Sequence, residues 1–130
     1  MYERILVVCT GNICRSPVAE YLIREALVTA GRKPEVLSAG VGALVDHPAD
    51  EMAIGIMGER GIDLAPHRAQ QATVKLCRWA ELVLVMEGHH RDALGDIDPA
   101  VQATTPEDLG PNRRVEFEII DPANGVVRGE

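Results

Sequence analysis

Short apolar segments alternate with amphipathic stretches along most of the chain. Residues 5–8 read Ile-Leu-Val-Val, which is typical of a strand buried on both faces of a sheet. Apolar side chains recur at helical spacing over 18–27, so we predict a first helix that ends near Gly31. Similar apolar runs at 36–39 and 82–86 predict two further strands.

Further segments have the apolar spacing of helices, at 49–60, 73–79 and 87–94. Strands that alternate with helices are joined by crossover connections, which predicts a parallel sheet and an α/β fold. Farther along the chain, 101–104 is predicted to form a short strand. Apolar and charged residues alternate over 115–119, which favours an extended edge segment.

The size and charge of the chain exclude several classes of protein. Its 130 residues suffice for one hydrophobic core, so we expect a single domain over 1–130 with no linker. With 13 Lys and Arg against 20 Asp and Glu the net charge is −7, which argues against a nucleic-acid-binding surface. No apolar run approaches the ~18 residues of a membrane span, and no basic and apolar leader begins the chain. We therefore expect a cytoplasmic protein without membrane insertion.

The most informative motif lies between the first strand and the first helix. Residues 9–15 read Cys-Thr-Gly-Asn-Ile-Cys-Arg, and Ser-Pro follows them. Backbone N–H groups of a loop placed there can converge on a tetrahedral anion, together with the positive end of the helix. The same field favours the thiolate of Cys9, which is the nucleophilic form of a cysteine. Arg15 can bind two phosphate oxygens through its planar guanidinium, so the motif predicts a phosphate site with a nucleophile.

The remaining loop residues suit the same task. Gly11 permits a tight turn, and Asn12 tolerates a positive φ angle. Ser16 can either cap the helix or give its hydroxyl to the Cys9 sulfur, and the sequence leaves both roles open. We predict that the substrate is bound by the residues between the nucleophile and the helix, namely Thr10, Gly11, Asn12, Ile13, Cys14 and Ser16.

The two other cysteines have different expected roles. Cys14 can form a disulfide with Cys9 that protects the nucleophile from overoxidation, or it can be a packing residue behind the loop. Cys77 has helical spacing to apolar neighbours, which favours the core. Three cysteines at spacings unlike a metal site or a secreted framework fit a reducing compartment.

The four histidines do not cluster with carboxylates at the spacing of metal ligands. We therefore predict no metal site, and the chemistry of the loop requires no cofactor. His89 and His90 are expected to be solvated residues of a helix.

Residues 9–20, Cys-Thr-Gly-Asn-Ile-Cys-Arg-Ser-Pro-Val-Ala-Glu, closely resemble the signature loop of the low-molecular-weight protein-tyrosine phosphatases. The resemblance continues through the segments 38–40, 67–69, 82–87 and 121–122, and so covers nearly the whole chain. It implies a three-layer α/β/α fold around a small four-stranded parallel sheet, similar to a Rossmann fold. At the start of 67–69 stands a histidine that supports the phosphate loop in the family, although a connector histidine is an equal alternative.

Asp121 and Asp98 each precede a proline, and either could be the general acid. The family takes this acid from a late Asp-Pro pair, so the resemblance favours Asp121. It would protonate the departing tyrosine oxygen and later act as base toward water. Asp98 is expected to be a turn residue.

The resemblance implies hydrolysis of phosphotyrosine through a cysteinyl-phosphate on Cys9. The loop 40–50 resembles that of bacterial members that oppose tyrosine autokinases in exopolysaccharide export. A phosphotyrosine protein, such as an autokinase of this kind, is therefore the expected partner. Leu44 and Val45 would provide an apolar wall for the tyrosine ring.

Three alternative functions remain. A related arsenate reductase begins with the same loop, but it uses two downstream thiols and this chain has only Cys77. Protein-arginine phosphatases prefer a small polar residue at the position of Ile13. A catalytically silent phosphate-binding module is the third alternative. Relatives also continue into a C-terminal helix, so this chain is expected to be shortened or altered after Asp121, and to be a monomer or a weak dimer.

Overall fold

The computed structural model describes residues 2–103, which form a parallel sheet with helices on both faces. Strands and helices alternate along the first part of the chain, as the hydrophobic pattern predicts. The strands are β1 (Arg4–Cys9), β2 (Glu35–Gly40) and β3 (Leu82–Val85), and the helices are α1 (Arg15–Thr29), α2 (Glu51–Glu59), α3 (Val74–Trp79) and α4 (Gly88–Ile97).

The strand β1 lies at the centre of the sheet, in the order β2-β1-β3, and it pairs in parallel with both neighbours. Cys9, the last residue of β1, is in register with Gly40 at the end of β2, and Val8 is in register with Val85. Because the strands are parallel, all three end at the same edge of the sheet. The loop that carries the phosphate motif leaves the sheet at this edge.

Alternate residues of β1 face two different cores, as a period of two requires. Leu6 and Val8 pack in a cluster that includes Cys77 of α3 and Leu94 of α4. Residues 5 and 7 pack instead in a cluster with α1. A third cluster joins α1 to α2, and its buried members are Val18, Leu22, Ala49, Ala53, Met57, Ile62 and Leu64. The three-layer α/β/α arrangement is therefore present.

The predicted α/β class is confirmed, with one difference in the sheet. Up to residue 103 the sheet has three strands, where four were expected. Residues 101–103 form no strand; the N–H of Val101 donates instead to the carbonyl of Asp98, within a turn. Residues 115–119 and Asp121 lie outside the described part of the chain.

Two predictions about individual residues are confirmed. Cys77 is a core residue with 4% of its surface exposed. Asp98 is a turn residue, because its Oδ1 accepts the N–H of Ala100 at 3.1 Å, and its Oδ2 accepts a hydrogen bond from Arg78 Nε at 3.3 Å. None of the helices within 2–103 is both long enough and apolar enough to cross a membrane.

Candidate active site

The phosphate motif forms the connection between β1 and α1. Cys9 is the last residue of the strand and is buried, and Arg15 is the first residue of the helix. The turn between them is held against the loops that follow β2 and precede α3.

The carbonyl oxygens of residues 9–14 all accept hydrogen bonds from groups outside the 9–15 loop. The donor–acceptor distances are 2.7 to 3.3 Å, and five of the six donors are backbone N–H groups. In the order of the carbonyls from Cys9 to Cys14, the donors are Val41 N, Gly42 N, Leu44 N, His67 Nε2, Asp50 N and Val18 N.

This outward pairing determines which way the amides of the loop face. The described peptide bonds are all trans, and in a trans peptide the N–H points away from the carbonyl of the same plane. The N–H groups of residues 10–15 therefore face away from the donors that hold the carbonyls. A curved loop with its amides on one side and its carbonyls on the other has the arrangement that can bind an anion.

Asn12 holds the centre of the loop in its unusual conformation. It is fully buried and has a φ of 60°, in the left-handed region that asparagine tolerates. Its Oδ1 accepts the N–H of Gln70 at 2.8 Å. Because a backbone N–H can only donate, this bond fixes the amide orientation, and Nδ2 must donate to Ser16 Oγ at 2.8 Å and Ser38 Oγ at 2.9 Å.

Ser16 is directed toward Cys9 by the same network. Its Oγ lies 2.9 Å from Cys9 Sγ and already accepts a hydrogen bond from Asn12. The hydroxyl hydrogen is therefore available to donate to a thiolate on Cys9. The residue at the N-cap of α1 is Cys14, with no side-chain cap, so the structure favours the sulfur contact over capping as the role of Ser16.

The network continues to a buried carboxylate that the sequence analysis did not identify. Ser38 accepts from Asn12 and donates to Glu20 Oε1 at 2.6 Å. Glu20 is only 8% exposed, and Arg24, one helical turn later, forms an ion pair with it. The loop is therefore hydrogen-bonded to α1 and β2, and the donor and the acceptor of each bond are determined.

Two histidines contact the loop. His67 is buried, and its Nε2–H donates to the carbonyl of Asn12 at 2.7 Å, in agreement with the supporting role that the resemblance implied. For His90 the prediction of a solvated residue is wrong. Its ring is fully buried and Nε2 lies 3.0 Å from Thr10 Oγ1. His90 lies four residues before Leu94, on the face of α4 that packs on the sheet, and this spacing is the signal that could have identified it.

Burial and neighbouring charges shift the pKa values of three groups beside the loop. Arg15 Nη2 donates to Glu87 Oε1 at 3.1 Å, and this hydrogen bond lowers the pKa of the Glu87 carboxyl. Burial lowers the pKa of His90, and the neighbouring His89 and Arg15 lower it further. Burial also raises the pKa of the Cys14 thiol, and Asp50 adds to that shift.

The other predicted site residues have different positions. Cys9, Cys14 and Cys77 are free thiols, so the disulfide between Cys9 and Cys14 stays a prediction. Leu44 is 46% exposed, and its N–H donates to the carbonyl of Gly11, which places it beside the loop. Among residues 2–103, no three His, Cys, Asp or Glu side chains are arranged to hold a metal ion.

Comparison with known proteins identifies the family. The model of the low molecular weight phosphotyrosine protein phosphatases matches residues 4–126, and the chain belongs to this family. EpsP from Ralstonia nicotianae, named as a probable low molecular weight protein-tyrosine-phosphatase, is 43% identical over 122 residues. The match covers 94% of this chain and 79% of EpsP.

Solved structures give the same result for the fold. The crystal structure of the tyrosine phosphatase AmsI from Erwinia amylovora matches with a TM-score of 0.77 and 40% identity, over 87% of this chain and 74% of AmsI. The arginine phosphatase YwlE from Bacillus subtilis, in a variant with a phosphorylated active-site serine, matches with a TM-score of 0.79 and 31% identity. That match covers 84% of this chain and 72% of YwlE.

The close packing around the loop leads to a prediction for Gly40. A Cβ atom at this position would lie 2.3 Å from the carbonyl oxygen of Thr10 and 3.1 Å from the nitrogen of Asn12. We expect Gly40→Ala to displace the loop, to cost about 1–3 kcal/mol of stability, and to weaken the binding of inorganic phosphate. Urea unfolding and calorimetric titration with phosphate measure the two effects.

Gly55→Ala is the matched control for this substitution. Gly55 lies in the interior of α2, and a Cβ atom there would meet nothing within 4 Å. This variant should gain up to about 1 kcal/mol and should bind phosphate as the wild type does. A Gly40→Ala protein with wild-type stability and phosphate affinity would contradict the assigned packing.

Proposed function

We propose that this protein is a protein-tyrosine phosphatase in which Cys9 is the nucleophile. The observation that carries the proposal is the position of Cys9 Sγ, 2.9 Å from the Ser16 hydroxyl, at the start of a loop whose carbonyls are all bonded outward. A thiolate there is stabilised by a hydrogen-bond donor, and it lies at the base of an anion site.

In the first step, the Cys9 thiolate attacks the phosphorus of the substrate and the bond to the tyrosine oxygen breaks. Arg15 and the amides of the loop bind the equatorial oxygens, and they stabilise the charge of the transition state. We propose Asp121, which lies outside the described residues, as the acid that gives a proton to the departing tyrosine oxygen.

In the second step, water attacks the cysteinyl-phosphate and Asp121 accepts its proton. The bond between sulfur and phosphorus breaks, inorganic phosphate leaves, and the thiolate of Cys9 is restored. The Ser16 hydroxyl supports this step, because it donates a hydrogen bond to the sulfur as its negative charge returns.

The choice of tyrosine over arginine rests on the side chains beside the loop. Ile13 is half-buried and apolar, and Leu44, whose N–H donates to the carbonyl of Gly11, exposes 46% of its surface. Val45 follows it in the chain and is 53% exposed. Apolar side chains in these positions suit an aromatic ring better than a guanidinium group. The fold does not distinguish tyrosine from arginine phosphatases, since AmsI and YwlE match it about equally well. Sequence identity is higher to the tyrosine phosphatase AmsI, at 40%, than to the arginine phosphatase YwlE, at 31%.

The further context of the enzyme is also proposed here. The loop 40–50 resembles that of bacterial members that oppose tyrosine autokinases in exopolysaccharide export, so we propose such an autokinase as the phosphotyrosine substrate. A cytoplasmic location fits that substrate. We further propose that the chain acts as one phosphatase domain, and as a monomer or a weak dimer.

Arsenate reduction is disfavoured by the position of Cys77. A thiol relay requires a downstream cysteine that can reach the nucleophile, and Cys77 is the only cysteine after the loop. Its side chain is 4% exposed and packs in the cluster between the sheet, α3 and α4. It cannot exchange with Cys9 without disruption of that core.

The substrate class is tested by turnover of four compounds: a phosphotyrosine peptide, phosphoarginine, a phosphoserine peptide and arsenate with a thiol reductant. We expect turnover of phosphotyrosine, with a loss of at least about a thousandfold in Cys9→Ser, because the hydroxyl is a much weaker nucleophile. Cys77→Ala, remote from the loop, is the matched control and should keep the wild-type rate. Turnover of phosphoarginine or arsenate without phosphotyrosine would overturn the proposal.

The general acid is tested by a pair of Asp→Asn variants. Asp121→Asn should lower kcat by about a hundredfold or more, since it cannot protonate the leaving group. Asp98→Asn should keep the wild-type kcat, because Asp98 is tied to Arg78 and to the turn at Ala100. Full activity in Asp121→Asn, measured with a phosphotyrosine peptide, would remove Asp121 from the mechanism.

A further inference from the structure

A ring of polar contacts joins the two ends of the phosphate loop through the start of α4. Thr10, next to the nucleophile, contacts the ring of His90 at 3.0 Å. The His90 ring contacts the backbone of Glu87 at 3.2 Å, and the Glu87 carboxylate pairs with Arg15 at 3.1 Å. His90 is fully buried at the centre of this arrangement, and its ring bonds to Thr10 and Glu87 rather than to Cys9.

The contacts of His90 define where its proton lies. The N–H of Glu87 donates to His90 Nδ1, so Nδ1 carries no hydrogen. The neutral ring then has its hydrogen on Nε2, which donates to Thr10 Oγ1. Both bonds exist together only for this one neutral tautomer.

We propose that His90 is a positioning residue, and that its neutral ring holds Thr10 and the Glu87–Arg15 pair in the geometry that binds phosphate. Protonation would place a hydrogen on Nδ1, where the Glu87 N–H already points, so two donors would face each other. It would also add a positive charge beside Arg15. The inference rests on the proposed function for its effect on turnover, and on the anion site alone for its effect on phosphate binding.

The charged groups around His90 favour the neutral ring. Arg15 faces it from α1, and Glu87 and His89 flank it at the start of α4, with Arg91 next along the helix. Burial lowers the pKa of His90 and the cationic neighbours add to the shift, while Glu87 opposes them. The ring therefore protonates below the ordinary range of about 6.5.

The sign of the pH effect follows from this shift. The unfolded chain takes up a proton on His90 near pH 6.5, whereas the folded chain does so only at lower pH. In the acid range the unfolded state binds more protons than the folded state. The contribution of the neutral His90 ring to the free energy of unfolding is therefore fully present above about pH 6.5 and is lost as the pH falls. Phosphate affinity and kcat should fall over the same acid range, because the loop contacts are lost together.

Two substitutions separate the hydrogen bond from the ring to Thr10 from the ability of the ring to gain a proton. His90→Gln places an amide that can donate to Thr10 and cannot gain a proton. His90→Asn is too short to reach Thr10. The exposed neighbour supplies the comparison, His89→Gln, which removes a group that pairs with Glu87 and lowers the pKa of His90. At neutral pH we expect His90→Asn to lose about three- to tenfold in kcat, the effect of one hydrogen bond, and His90→Gln to stay within about threefold of the wild type.

The profile of kcat against pH is the decisive reading, because kcat reports groups of the enzyme–substrate complex. The acid limb of the wild type should move to lower pH in His90→Gln and to higher pH in His89→Gln, because His89 lowers the pKa of His90. An unchanged limb in a folded His90→Gln protein would overturn the proposal, and so would wild-type kcat in His90→Asn at every pH.

Two measurements keep the proposal testable if the variants do not fold or the substrate is wrong. Nitrogen NMR of the wild-type His90 ring should show a bare Nδ1 and a protonated Nε2 at neutral pH, and the opposite tautomer would contradict the proposal. If the wild type binds inorganic phosphate without hydrolysing phosphotyrosine, only the proposed function fails. The affinity for phosphate should then fall more steeply with falling pH in the wild type than in His90→Gln, and an identical pH dependence in the two proteins would overturn the role of His90.

Discussion

The outward hydrogen bonding of the carbonyls of residues 9–14 is the constraint on which the proposed anion site depends. A loop whose carbonyls faced inward would repel a phosphate, whereas here each of them is bonded to a donor outside the loop. The planar trans peptides then turn the N–H groups to the other side. Because protein groups alone hold these carbonyls, the amides need little reorganisation to bind phosphate.

Several unusual features of the fold follow from this constraint. Asn12 is buried in the left-handed region, and in this conformation its carbonyl accepts a hydrogen bond from His67. Three hydrogen bonds of its side chain offset the cost of this conformation. Gly40 has no side chain because the carbonyl of Thr10 occupies the space of a Cβ atom. In the same network Ser16 accepts from Asn12, which leaves its hydroxyl hydrogen free to donate to Cys9, the proposed nucleophile. The hydrogen bonds that hold the loop in its conformation are therefore connected to the one that reaches Cys9.

Hydrophobic spacing predicted the helices and strands because each of these elements buries one or both of its faces. The loop 9–15 was recognisable because its functional side chains are close together in the sequence. Burial of polar side chains was not predictable in the same way. His89 and His90 are equivalent by residue type, yet only His90 turns toward the sheet, as Leu94 does. Glu20 was missed because its partner Ser38 lies on another element, 18 residues away. The short strand predicted at 101–104 is not formed over residues 101–103, since the N–H of Val101 donates to the carbonyl of Asp98 in a turn.

The central claim is that the amides of residues 10–15 form the anion site, and amide NMR with inorganic phosphate tests it most directly. The wild-type protein would be titrated with phosphate while the proton and nitrogen shifts of every backbone N–H are followed. The account predicts large, saturable shifts in the amides of residues 10–15, with small shifts in the outward-bonded donors such as Val41 and Gly42. Saturable shifts confined to another surface, or none at all, would contradict it.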